Sequence, residues 1–306
     1  MSCFSLTLVA VLMLLLFAGG IDAAGLYPTS QEFNNGTSFL SLAGSLQGLA
    51  DTMSGSLIPY WATHQISAGD TAGYYGFSVT MDVYDFLLTS EQSSLALVNI
   101  FTAGDASLAS VNTIQIGWEV SPQSYGDSHA HLYAYWSPTG FRTSECLDTN
   151  CPGLQPEAGA SMVLGDIIEP VSQPNGIKQN ITVKVLKDGI LGDWLVHCGF
   201  NQHEPALIGH YPRSLFPGGL ADRATDIHIG GIVVTRSTDL ASMGSGYLPS
   251  TATAASFNNF QIIDQNGQAS LVNHNLPGHI SQPDTYSVSP IINGQFFHGG
   301  PFQSTP

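Results

Sequence analysis

Basic residues are scarce in this sequence. Seven Lys and Arg stand against 23 Asp and Glu in 306 residues, for a net charge of -16, and no Lys or Arg precedes Arg142. Such a chain has no surface with which to neutralise a run of phosphates, which excludes nucleic acid as a partner. Charged residues of both signs reach only 10% against 43% hydrophobic, so the chain has material for a core and is not a solvated, disordered polymer. Helical periodicity is missing apart from one patch at Ser41 to Met53, and there are no heptads, internal repeats or low-complexity linkers. The chain also lacks Gly-x-Ser-x-Gly, His-Glu-x-x-His, a Walker loop and a spaced Cys–His pair, so the common hydrolase and nucleotide templates are excluded and no cofactor is expected.

Cysteine is limited to four positions. Cys3 precedes an apolar run, Leu6 to Phe17, and small residues through Ala24, which together read as a signal peptide over residues 1–23. The run is short for a membrane span of about 20 residues, so export to the extracellular space is expected, with no membrane association after cleavage. Cys146 and Cys151 enclose a turn-rich loop of four residues, and on an oxidising route that spacing predicts a disulfide. Cys198 is left as a small buried thiol, and no metal site can be assembled from the remaining soft ligands. The sequons at Asn35 and Asn180 are candidate glycosylation sites.

What is present is alternation. Phe77, Val79, Met81 and Val83 alternate with Ser78, Thr80, Asp82 and Tyr84, and Ile181, Val183 and Val185 alternate with Thr182 and Lys184. This period of two predicts half-buried strands. Further strands are predicted at Ile114 to Val120, His131 to Trp136, Trp194 to Phe200, Ile227 to Thr235 and Phe260 to Asp264, separated by Gly, Pro and Asn clusters. Thirty-three Gly and 17 Pro suit the turns of an all-β sandwich. The expected layout is an N-terminal extension over 24–60 and one all-β antiparallel sandwich over 61–306, as a monomer. His129 and His131 lie at strand spacing in a polar segment and read as solvated histidines rather than metal ligands; Tyr133 and Tyr135 share their face.

The segment Ile114-Gln-Ile-Gly-Trp-Glu-Val-Ser-Pro-Gln-Ser-Tyr125 carries more than a strand. Gly126-Asp127, Tyr135-Trp136, Cys146, Cys151-Pro-Gly, Gly209-His-Tyr-Pro212, Gly230-Gly231, Met243-Gly-Ser-Gly246 and Gly299-Gly-Pro301 follow it in order. This set, from about Tyr74 to Pro301, resembles the neprosin family of secreted β-sandwich proteins. The resemblance implies a glutamic peptidase fold, cleavage after proline, and one catalytic Glu on each of two strands. The first family Glu corresponds to Gln115 and the second, directly after Gly-Gly, to Ile232. Gln cannot take a proton from water and Ile has no polar group, so the inherited dyad is degenerate.

Glu119 and His228 are each four residues from those positions, on the same strand faces, and are the possible substitutes for a rebuilt acid endopeptidase site. Gly117, Tyr135, Gly230 and Gly231 are expected to line a cleft for an extended or proline-rich peptide. The long propeptide of plant members has no counterpart in the short stretch after Ala24, and Thr285 stands where the family's C-terminal disulfide would need Cys. Three functions are therefore carried forward: a peptide-binding protein with a lost dyad, an active peptidase centred on Glu119, and a glycan-binding sandwich.

Overall fold

The computed structural model describes residues 58–68, 72–102, 111–138, 146–148, 152–201, 203–235 and 240–301. The expected signal peptide, most of the expected extension, Asn35, the Ser41 to Met53 patch, Cys151 and the side chain of Cys146 lie outside the described residues, and the predicted disulfide with them.

In chain order the strands are β1 (Ile58–Ser67), β2 (Gly76–Asp82), β3 (Gln92–Thr102), β4 (Asn112–Val120), β5 (His131–Ser137), β6 (Cys146–Leu147), β7 (Gln155–Pro156), β8 (Asn180–Lys187) and β9 (Trp194–Phe200). They continue as β10 (Ala206–Tyr211), β11 (Asp226–Thr235), β12 (Met243–Gly244), β13 (Ala255–Ile263), β14 (Ala269–Leu271), β15 (Gly278–Ile280), β16 (Ser287–Val288) and β17 (Phe296–Gly300). Among the described residues they form two antiparallel sheets. One runs β15-β1-β11-β3-β4-β5-β6; the other runs β12-β17-β13-β2-β8-β9-β10-β7, with β14 on β13 and β16 on β17. The chain is thus an all-β antiparallel sandwich, and β1 opens three residues before the boundary read at 61.

The predicted alternation sets the inner faces. Phe77, Val79 and Met81 of β2 and Ile181, Val183 and Val185 of β8 meet Ile114, Ile116 and Trp118 of β4 and Leu132, Ala134 and Trp136 of β5 in one buried cluster. Each large aliphatic side chain removed from water there contributes about 1.5–3 kcal/mol. Trp118 also donates its indole N–H to the Asp82 carbonyl at 2.9 Å, which ties the sheets together without leaving a buried donor unmet.

The outer face of the first sheet is buried as well. Thr113, Gln115 and Glu119 of β4, Tyr133 and Tyr135 of β5, Leu95, Leu97 and Asn99 of β3, and His228 and Ile232 of β11 are all closed to solvent. A strand buried on both sides loses its alternation and reads as a continuous apolar run. β3, Gln-Ser-Ser-Leu-Ala-Leu-Val-Asn-Ile-Phe-Thr, is buried in this way from Ser94 onward and is central to the sheet, a strand not among those predicted from the sequence.

Candidate functional site

Cross-strand partners on an antiparallel ladder share a face, so register arranges the outer face in rows. One row runs Tyr135, Gln115, Asn99, His228 and Gln65; the next runs Tyr133, Gly117, Leu97, Gly230 and Thr63; a third runs His131, Glu119, Leu95, Ile232 and Trp61. Gln115 and Ile232 therefore lie on one face, separated by β3, but not in one row. Their offset is four residues along the strand, about 13 Å on a flat ladder. Glu119 shares its row with Ile232, and His228 shares its row with Gln115, so the register does not set Glu119 and His228 opposite each other.

His228 is further unsuited to proton transfer. Burial, and then the charge of His279, lower its pKa to about 3, and its ring meets Phe101 edge-on at 4.7 Å. The glycines need restating too. A side chain at Gly231 would point at His298 and Met243 on the inter-sheet side, so Gly231 does not line the outer face. A Cβ on Gly117 would stand 2.0 Å from the Ala96 carbonyl oxygen, and one on Gly230, at φ +153°, 2.4 Å from that of Ala62. Close approach of the neighbouring strand's backbone explains both glycines.

The face gathers its carboxyl groups at the Glu119 end. After β4, Ser121-Pro122 opens the one-turn helix α1 (Pro122–Tyr125), with Pro at its first position. Gly126 at φ +88° ends it and returns its N–H to the Pro122 carbonyl. This turn brings Tyr125 against β5, where its ring stacks on His131 with centroids 4.0 Å apart and planes 6° apart. Beyond β6, Asp148 takes φ +48°, a conformation that Asp tolerates better than most residues. Its N–H donates to the Ala134 carbonyl at 2.7 Å, and its Oδ1 accepts the Ala134 N–H at 2.8 Å. Its Oδ2 accepts the Tyr125 hydroxyl at 2.7 Å.

Glu119 is 2% exposed, and its Oε2 has no hydrogen-bond partner. Burial, and then the charge of Asp148, raise its pKa to about 8 against hydrogen bonding with Ser121 and Tyr125. Burial raises Asp148 to about 6, opposed by its bonds from Ala134 and Tyr125 and by the charge of His131. Two neighbouring carboxylates cannot both ionise cheaply in such a site, so between these values one is neutral and the other charged. Burial and the same two carboxylates raise Tyr125 and Tyr133. Tyr211, raised by burial and Asp148, has a buried hydroxyl without a partner.

His131 is buried rather than solvated. Its Nδ1 lies 2.7 Å from the Gly165 carbonyl and its Nε2 3.0 Å from Asp127 Oδ1. That bond, with the His129 N–H, holds Asp127 below the usual carboxylate range. His129 remains half exposed, 3.6 Å from Asp85 and 3.7 Å from Glu169. Gln115 Oε1 accepts the Tyr133 hydroxyl at 2.9 Å.

Sequence reasoning included Glu119 and Tyr135 but passed over Tyr125, Asp148 and Tyr211. Asp148 lay hidden in a loop read only for its cysteines. Among the described residues no group of three or more His, Cys, Asp or Glu is placed to hold a metal ion. Cys198 is buried as expected, 3.7 Å from the Met162 sulfur, and burial pushes its thiol up to about 12. Asn180 is half-buried at the start of β8. A pocket of about 370 Å³ lies away from this face, between His64, Leu276, Pro277 and Pro290.

Solved structures similar to this chain include two peptidases. One is scytalido-glutamic peptidase with a peptide-based transition-state analogue, 9% identical, covering 81% of this chain and 100% of that one at a TM-score of 0.42. The other is SCP-B, a member of the eqolisin family of peptidases, in complex with the tripeptide Ala-Ile-His; it is 10% identical, covering 79% of this chain and 98% of that one at 0.39. The Neprosin family model matches residues 90–301, more than half of the 306 residues, and the chain belongs to the Neprosin family.

Proposed function

We propose that this chain is an exported Neprosin-family protein that binds extended, proline-rich peptides on the outer face of its seven-stranded sheet, with no proton transfer at the two family Glu positions. The observation that carries this reading is the pair Gln115 and Ile232 on one buried face, where Gln115 is engaged by Tyr133 and Ile232 is apolar. Around them stand Tyr133, Tyr135, Leu95, Leu97 and Trp61, the aromatic and aliphatic lining that suits proline rings. A polyproline segment is stiff before it binds and loses little entropy on docking. Because these residues are closed to solvent, binding requires the face to open, and association is slower than the usual range of about 10⁵–10⁷ M⁻¹s⁻¹.

Calorimetry of the exported chain with a proline-rich decapeptide tests the reading. Binding is expected, and Ile232→Asp weakens it by placing a charge where the ligand needs an apolar surface. Absence of heat with such peptides, or affinity indifferent to Ile232→Asp, removes the basis for it. The same preparation, sequenced from its N-terminus, is expected to begin at Ala24.

A further inference from the structure

The inherited positions leave the face without a base or an acid, yet four residues along β4 it holds both. Glu119 has an oxygen that nothing satisfies, in a side chain almost wholly buried. A buried polar atom without a partner is rare enough to need an explanation, and a ligand atom is one. Tyr125 joins this carboxyl to Asp148, which is fixed from two sides by Ala134 and Tyr125. The groups facing Glu119 come from several elements: Ser121 and Tyr125 around α1, His131 and Tyr133 from β5, and Asp148 beyond β6. Across β3 its neighbours Leu95 and Ile232 are apolar. An apolar wall on one side and a hydrogen-bonded proton acceptor on the other make an environment that holds one carboxyl neutral beside one that is charged.

We infer that Glu119, the Tyr125 hydroxyl and the Asp148 carboxylate form a hydrolytic centre that cleaves a peptide bond of the chain bound on this face. The inference rests on the peptide-binding reading above and assigns it a chemistry. In the first step a water oxygen bonds to the scissile carbonyl carbon. The water's proton passes to the Tyr125 oxygen as the Tyr125 proton moves to Asp148 across the 2.7 Å bond. Glu119 gives the proton on Oε2 to the carbonyl oxygen, which leaves a neutral diol, an ionised Glu119 and a neutral Asp148.

In the second step Glu119 takes a proton back from one diol hydroxyl, the carbonyl re-forms and the carbon–nitrogen bond breaks. The leaving nitrogen receives the proton held by Asp148, returned through Tyr125. One water is consumed, and all three side chains regain their starting protonation. Glu119 is the catalytic acid; Asp148, acting through Tyr125, accepts the water's proton and later supplies it to the leaving nitrogen. The centre works where Asp148 is ionised and Glu119 is not. Activity therefore rises through about pH 6 and falls through about pH 8.

The test uses the full exported chain and a quenched fluorogenic decapeptide with a central Pro, with binding and cleavage measured separately across pH. Wild type is expected to bind and to cleave in a bell between those limits. Glu119→Gln is expected still to bind the peptide, with its affinity measured separately, and to cleave at least about a hundredfold more slowly. Tyr125→Phe cuts the path to Asp148 and shifts or erases the acid limb, whereas a purely structural role would lower activity without moving the limb. Binding without cleavage at any pH, or a Glu119→Gln variant that cleaves like wild type, overturns this inference and leaves the binding reading standing. Absence of binding overturns both. Near-ultraviolet circular dichroism of each variant distinguishes lost chemistry from lost fold.

Discussion

Replacing Glu119 by Gln tests the electrostatics of the site without any substrate. In the folded chain the Glu119 carboxyl is raised from 4.5 to about 8, chiefly by burial. The folded state therefore keeps a proton that the unfolded chain releases above about pH 4.5, and stability contributed by this group is present below that value and lost as pH rises toward 8. The slope is about 1.4 kcal/mol per pH unit, so between pH 5 and pH 8 wild type loses about 4 kcal/mol from this residue alone. Domains of this kind hold only about 5–15 kcal/mol, so the loss is a large part of the total.

Gln has the shape of neutral Glu and no proton to lose. The variant should match wild type near pH 4.5 and become the more stable protein as pH rises. Urea unfolding at a series of pH values reads this directly; with slopes of about 2–3 kcal/mol per molar, the two midpoints should separate by about 1–2 M at pH 8. Asp148, raised from 3.8 to about 6, contributes its own loss between those values in both proteins and cancels in the comparison. Parallel midpoints from pH 5 to pH 8 would show that Glu119 titrates normally and would refute the reasoning.

Gly117→Ala should destabilise the fold by about 2–3 kcal/mol, because its Cβ would meet the Ala96 carbonyl oxygen at 2.0 Å and strand backbone does not yield cheaply; thermal denaturation measures it. Cys198, buried and raised to about 12, should react with a thiol reagent only after unfolding. With Cys146 and Cys151 paired as their spacing predicts, the denatured exported chain should take up one label, and three would reject that pairing.

The amino-acid pattern alone was enough for the half-buried strands. Phe77 to Met81 and Ile181 to Val185 alternate because each has one side in the core and one less buried, and β9 appears at its predicted limits, Trp194–Phe200. Residue type is likewise read directly from the chain: Gln at 115 and Ile at 232 carry no carboxylate. Two-sided burial is less legible: β4, β5 and β11 could still be read as strands, but β3 shows no sustained alternation, and nothing in Ser-Leu-Ala-Leu-Val-Asn-Ile-Phe says that it separates Gln115 from His228. Periodicity reports which side of a strand is wet, and here neither side is.

The partners of Glu119 were decided only by tertiary structure. Register placed it beside Leu95 and in line with Ile232, and not with His228. Tyr125 and Asp148, 23 positions apart, meet because a one-turn helix and a left-handed residue after β6 aim them at the same point. Nor does residue type reveal a buried carboxyl: Glu119 and Asp148 are ordinary acids in sequence, and their raised proton affinities come from the water that packing removes and, for Glu119, from the charge of Asp148 as well.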